Sequence, residues 1–124
     1  MRRIFRAIVL CSSLVSVTET AQALNARTWI SGGGADAAGC GPIANPCRTL
    51  QYAHDQTSSG GEIDAKDSAG YGSVVITKAI SIIGDGSLAG VLASAGGNAM
   101  EINAGASDKI VLRGLTIEGA GASA

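Results

Sequence analysis

Few side chains in this chain have the type and spacing to do chemistry. Acidic residues come closest: Glu62-Ile63-Asp64-Ala65 returns as Glu101-Ile102-Asn103-Ala104. If the two stretches stack, Glu62 and Glu101 share an outward face. Two carboxylates there would bind a cation weakly. No third oxygen ligand belongs to the pattern, and exposed strand positions are polar in any case, so a solvated face is the expectation. His54 is the only histidine. No nucleophile or carboxylate motif surrounds it, which points to a half-buried or capping role. Asp85 in Gly84-Asp85-Gly86 and Asp108 before Lys109 are turn residues. Gly32-Gly33-Gly34-Ala35-Asp36 is glycine-rich, but no Gly-Lys-Ser/Thr follows, so it is not a phosphate loop. No catalytic, cofactor or metal-binding residue is assigned.

Cys40 and Cys47 carry the remaining chemistry. They flank Gly41-Pro42-Ile43-Ala44-Asn45-Pro46. A zinc site needs a second cysteine pair or a histidine doublet, and neither is present. A disulfide is therefore expected, contributing about 2–3 kcal/mol for a ring of that size.

An oxidising compartment fits the N-terminus. Arg2, Arg3 and Arg6 precede a short apolar run over Ala7–Val17, and Ala21-Gln22-Ala23 offers small residues for cleavage. Residues 1–23 read as a secretory signal peptide, which places the protein outside the cytoplasm, secreted or periplasmic. Cys11 leaves with it. No later stretch is apolar enough to span a bilayer after cleavage. Net charge is −1 and the bases are scattered, so no nucleic-acid footprint exists.

The elements that must position these residues are short. Aromatics make up 3% of the chain, against 18 glycines and 46% hydrophobic residues. Arg27–Ser31 alternates as a first strand. Asn45 and Pro46 open a helix over about 46–58, and Gly60-Gly61 closes it. Strands are then expected at 62–65, 73–77, 80–83, 91–94, 100–104, 110–112 and 115–117, with glycine turns between them.

One phrase occurs twice. Val75-Ile76-Thr77-Lys78-Ala79-Ile80-Ser81-Ile82-Ile83-Gly84 returns as Ile110-Val111-Leu112-Arg113-Gly114-Leu115-Thr116-Ile117-Glu118-Gly119. Each copy is a strand, a base-and-small corner, and a second strand. Two strands meeting at a corner do not form a hairpin, so each is expected to pair with its equivalent in the next repeat. That alignment sets Ile82 beside Ile117 and Ile80 beside Leu115.

These phrases resemble the coils of the right-handed parallel β-helix proteins of the pectin-lyase-like superfamily. Pro46-Cys47-Arg48-Thr49-Leu50-Gln51-Tyr52-Ala53 resembles the N-terminal cap helix of exported bacterial members. The resemblance implies an all-β solenoid of about two to three coils with a short capping helix. The cap region would span 24–61 and the coils 62–124, truncated at the C-terminus. A β-sandwich is the alternative, but it does not explain a repeated strand-corner-strand unit. The family hosts many activities. Its lyases and hydrolases use aspartates and bases on central coils, and no residue here matches those motifs. The expected role is structural, or binding of a polysaccharide or cell-surface glycan. The alternative is the N-terminal part of a polysaccharide lyase or glycoside hydrolase. Self-association through an uncapped last coil is a further expectation.

Overall fold

The computed structural model describes residues 23–119. The signal-peptide reading and Cys11 therefore fall almost wholly outside the described residues. The elements are β1 (Asn25–Ile30), α1 (Leu50–Gln56), β2 (Thr57–Ala65), β3 (Ala69–Gly70), β4 (Val74–Ile76), β5 (Ile80–Ile83), β6 (Ala89–Leu92), β7 (Met100–Ile102), β8 (Ile110–Arg113) and β9 (Leu115–Glu118). Among the described residues the fold is mostly β, with one helix.

Every strand pair is parallel. One sheet has the order β1-β2-β5-β8, a second β3-β6-β9, and a third β4-β7. From β2 onward the chain visits the first, second and third sheets in rotation. Adjacent strands in sequence never pair with one another except β1 with β2, which are separated by α1.

Period-two alternation puts one set of side chains inside. Ile63, Ile82 and Leu112 are register partners across the first sheet. Ala89 stands on Leu115 and Val91 on Ile117 in the second, and Val74 on Met100 and Ile76 on Ile102 in the third. β-branched and small residues thus fill the interior. Tyr71 is the one buried aromatic among the described residues. Coverage is uneven along these ladders. Ile76, Ile82 and Val91 are 0–1% exposed, whereas their partners one circuit later, Ile102, Leu112 and Ile117, are 52%, 37% and 53% exposed.

The register differs from the one the repeated phrase suggests. Ile80 pairs with Ile110 and Ile82 with Leu112, in place of Leu115 and Ile117. The first copy of the phrase crosses from the third sheet into the first (β4 to β5). The second copy crosses from the first into the second (β8 to β9). The phrase encodes a strand-corner-strand unit and is used at two different corners. Partners recur nineteen residues on from Gly61 to Ile80 and thirty on from Ile80 to Ile110, so the circuits have no fixed length.

Glycine shapes the corner between the first and second sheets. Gly114 takes φ +67, a region that disfavours a side chain. A Cβ on Gly84 would lie 2.4 Å from the Gly114 carbonyl oxygen and 2.7 Å from Ala89 Cβ. Arg113 braces that corner, its Nε donating to Asp85 Oδ2 at 2.6 Å.

The helix is shorter than 46–58. Thr49 is its N-cap, with the hydroxyl accepting from the Tyr52 N–H. Cys47 is not helical; it bridges in parallel to Ile30. Asn45 and Pro46 therefore belong to a loop, where the Asn45 carbonyl accepts from the Gly41 N–H. At the other end Thr57 begins β2 at once, and Gly60-Gly61 lies inside that strand. β2 so runs across the expected boundary between cap and coils. Ala69-Gly70, read as turn, is strand β3.

Candidate functional site

The outward side of β1 and β2 gathers the charged residues. Arg27 sits opposite Glu62, and Trp29 opposite Asp64. Arg27 Nε donates to Asp64 Oδ2 at 2.5 Å and lies 3.5 Å from Glu62 Oε1. Its guanidinium also stacks over the Trp29 ring, 4.6 Å from the centroid, a favourable cation–π geometry. Glu62's carboxyl is pushed above its ordinary value because it shares a hydrogen bond with Asp64, with desolvation adding to the effect. The cluster is an internally compensated triad, one base between two acids.

The carboxylates singled out in sequence do not converge. Glu62 pairs with Ser81 in the first sheet, while Glu101 pairs with Val75 in the third. The shared outward face expected for Glu62 and Glu101 is therefore overturned, because the repeat does not map onto one sheet. Asn103 Nδ2 donates to Glu101 Oε1 at 2.8 Å, a local contact. Asp85 is held by Arg113, and Asp108 accepts from the Gly105 N–H at 2.8 Å. Among the described residues no three His, Cys, Asp or Glu side chains come together as metal ligands.

His54 is buried and structural in its contacts. Its Nε2 faces the Thr77 N–H at 3.3 Å, and Nδ1 lies 3.0 Å from Asp55 Oδ1. A neutral ring carrying its proton on Nδ1 satisfies both contacts. Gln51 Oε1 accepts from the Val75 N–H at 2.8 Å on the same helix face. Together the two side chains occupy the free edge of β4. Lys78, nearby, donates to the Thr57 carbonyl, and burial holds its amine below its ordinary value.

Cys40 and Cys47 form the expected disulfide. Their loop lies along the free edge of β1: Trp29 N–H donates to Gly41 O at 2.7 Å, and Cys47 N–H to Trp29 O at 2.9 Å. The free edge of β3 is met by Arg48 Nη1 on Gly70 O at 2.9 Å, followed by Leu50 N–H on Tyr71 O at 3.0 Å. Asp36 positions this segment by accepting from the Arg48 N–H, the Thr49 N–H and the Thr49 hydroxyl. The loop Gly32–Asp36, rejected as a phosphate cradle, holds the helix start.

Asp67 ties the loop to the first circuit. Ser31 Oγ donates to its Oδ2 at 2.5 Å and Gly32 N–H to Oδ1 at 2.8 Å. These two bonds, the hydroxyl first, hold its carboxyl below the usual range. The Tyr71 hydroxyl donates to the same side chain, and burial with that carboxylate beside it pushes the phenol well up.

The second sheet presents a trough of about 430 Å³. Gly70, Gly90 and Thr116, in register across β3, β6 and β9, form its floor. Leu88 and Leu92 line it, with Ser68 and Glu118 as its polar edge. Two glycines in outward positions leave room where neighbouring strands carry side chains. Gly70 read as a turn residue and Gly90 fell just before the strand expected at 91–94, which hid this site; their spacing of one circuit was the available signal.

No protein-family model, curated protein or solved structure matches this chain.

Proposed function

We propose that this chain folds as an exported right-handed parallel β-helix, a scaffold without its own catalytic centre that binds a glycan chain in the trough over Gly70, Gly90 and Thr116. The observation that carries the binding reading is that trough. It is open, runs across three parallel strands, and combines aliphatic walls with Ser68, Thr116 and Glu118 at its edge. Extended hydroxylated chains present alternating apolar faces and hydroxyls, which suits such a lining. The β-helix reading is supported by the rotation through three parallel sheets and by the stacked inward ladders. Export is supported by the disulfide, which belongs in an oxidising compartment.

The test is glycan binding by the full chain and by Gly90→Leu. A Cβ at Gly90 meets its nearest atom, Ala69 O, at 3.4 Å, so the variant folds while its side chain fills the trough. Calorimetric titration with neutral and uronate oligosaccharides is expected to give binding by the wild-type chain and loss of at least tenfold in the variant. Equal binding by both defeats the trough assignment. Accumulation of unsaturated uronate products would instead favour the lyase alternative.

A further inference from the structure

We infer that Asp85 is a site of slow self-modification, in which its carboxyl condenses with the Gly86 amide to a succinimide and opens to isoaspartate, and that Arg113 from the next circuit holds this reaction back. The inference stands apart from the glycan reading above.

Three observations carry it. First, Asp85-Gly86 is the single Asp-Gly pair in the sequence, and it occupies the centre of an exposed turn. Ser87 N–H donates to Gly84 O at 3.1 Å, closing the turn, and Gly86 takes φ +81, as the third residue of a type II turn requires. Second, the Gly86 N–H donates to no acceptor among the described residues, and a Cβ built on Gly86 meets nothing within 4 Å. The nitrogen that must attack is therefore unbonded and unshielded. Third, one contact opposes the attack. Arg113 Nε donates to Asp85 Oδ2 at 2.6 Å, and Arg113 Nη2 meets the same oxygen. Cγ reaches the Gly86 nitrogen only when these charge-assisted bonds break.

The step is self-contained. The Gly86 nitrogen attacks Asp85 Cγ, the new C–N bond closes a five-membered ring, and one carboxyl oxygen leaves as water with the amide proton and the carboxyl proton. Water then adds at either ring carbonyl. Addition at Cγ restores aspartate. Addition at the main-chain carbonyl breaks the original Asp85–Gly86 bond and leaves the chain running through Cγ.

The product does not fit this corner. Isoaspartate lengthens the main chain by one methylene. A Cβ on Gly114 would already lie 2.7 Å from the Asp85 nitrogen, so the longer chain must displace Gly84, whose N–H donates to Arg113 O at 2.8 Å. Asp67-Ser68 is the contrasting case. The Asp67 carboxylate accepts from the Ser31 hydroxyl, the Gly32 N–H and the Tyr71 hydroxyl, three donors where Asp85 has one side chain.

The full chain with its disulfide formed is aged in neutral buffer, and isoaspartate is located by peptide mapping and by methyl transfer from an isoaspartyl methyltransferase. It is expected at Asp85 before Asp67, and more slowly in the folded chain than in urea. Arg113→Gln is expected to raise the folded-state rate by about two- to fivefold, the size an exposed ion pair supports. Gln51→Ala loosens the β4 edge away from this corner and is expected to leave the rate unchanged, which separates the guanidinium from a general loss of stability. In the aged chain the Gly84 amide is expected to exchange faster. No isoaspartate at Asp85, an earlier appearance at Asp67, a folded rate equal to that in urea, or equal rates in Arg113→Gln and Gln51→Ala overturns the inference.

Discussion

The two ends of the strand stack are made of opposite materials. At the end nearest β1, backbone groups of the edge strands meet a partner of another kind: a stapled loop, a guanidinium, an amide side chain and an imidazole. No buried side-chain nitrogen or oxygen is left without a partner among the described residues. At the end formed by β7, β8 and β9 no such fitting is found among the described residues, and Ile102, Leu112 and Ile117 are exposed. The lesson concerns what closes a parallel sheet. A strand edge is a row of donors and acceptors at fixed spacing. Closing it takes side chains of matched length brought in from a differently folded segment, and that segment needs sequence of its own.

The sharpest way to break the comparison is to cut the same ladder at two heights. Ile82→Ala removes a fully covered side chain and is expected to cost about 2–5 kcal/mol. Leu112→Ala, its register partner, is expected to cost about 1 kcal/mol or less in the single chain, because water already reaches it. Urea denaturation of both decides the point. Equal losses would mean that the far end is as well covered as the near one.

Reducing the disulfide attacks the closed end directly. Loss of about 2–3 kcal/mol is expected, seen as a lower melting temperature in dithiothreitol or in Cys40→Ser, Cys47→Ser. Amide exchange at Trp29 and Cys47 should accelerate before exchange at Ile82. A uniform acceleration would show that the loop belongs to the same cooperative unit as the ladders.

Removing the side-chain fittings on β4 is a smaller change. Gln51→Ala exposes the Val75 N–H, and His54→Ala the Thr77 N–H; each is expected to cost about 1–2 kcal/mol. His54→Gln, whose amide oxygen reaches the same N–H, should recover part of the loss. Exchange rates of those two amides read the effect residue by residue.

The smallest expected effect is in the pH dependence. Asp67's folded value is lowered, so its contribution is present above the unfolded carboxylate value and is lost as pH falls through the folded one. Glu62's is raised, so its contribution is present below the unfolded value and is lost as pH rises through the folded one. The two oppose each other in the acid range. Asp67→Asn should flatten the loss of stability on acidification, and Glu62→Gln should raise stability near neutrality. Unfolding curves between acid and neutral pH test both signs.

Local structure was legible in the sequence wherever it depended on neighbours in the chain. Val74–Ile76, Ile80–Ile83 and Leu115–Glu118 alternate and are strands; Cys40 and Cys47 pair. Register was not legible, because the repeated phrase specifies a bend between two strands and says nothing about which sheets they join. Residues 87–99, which hold β6 and the turn before β7, set the length of that circuit and decide it. The helix was overextended for a related reason. Asn45-Pro46 has the composition of a helix start, but the Cys47 backbone is claimed by Trp29 and Ser31 across the loop. Tertiary pairing overrode the local signal. The trough was invisible because it is made of absent side chains, and a glycine in a strand looks the same in sequence as a glycine in a turn.

The position of the stapled loop has a kinetic meaning. It lies ahead of β2 in the chain, so the strand edge it covers needs no contact from any later circuit. Closing β1 on β2 spans Thr28 to Ile63, the longest sequence separation of any pairing in the first sheet. Later closures are shorter, and loop entropy changes by only about 0.6 kcal/mol for each doubling of length. Each of them also lands on an edge that is already ordered. The slow event is therefore the first one, and assembly thereafter runs in one direction, from the start of the chain toward its end.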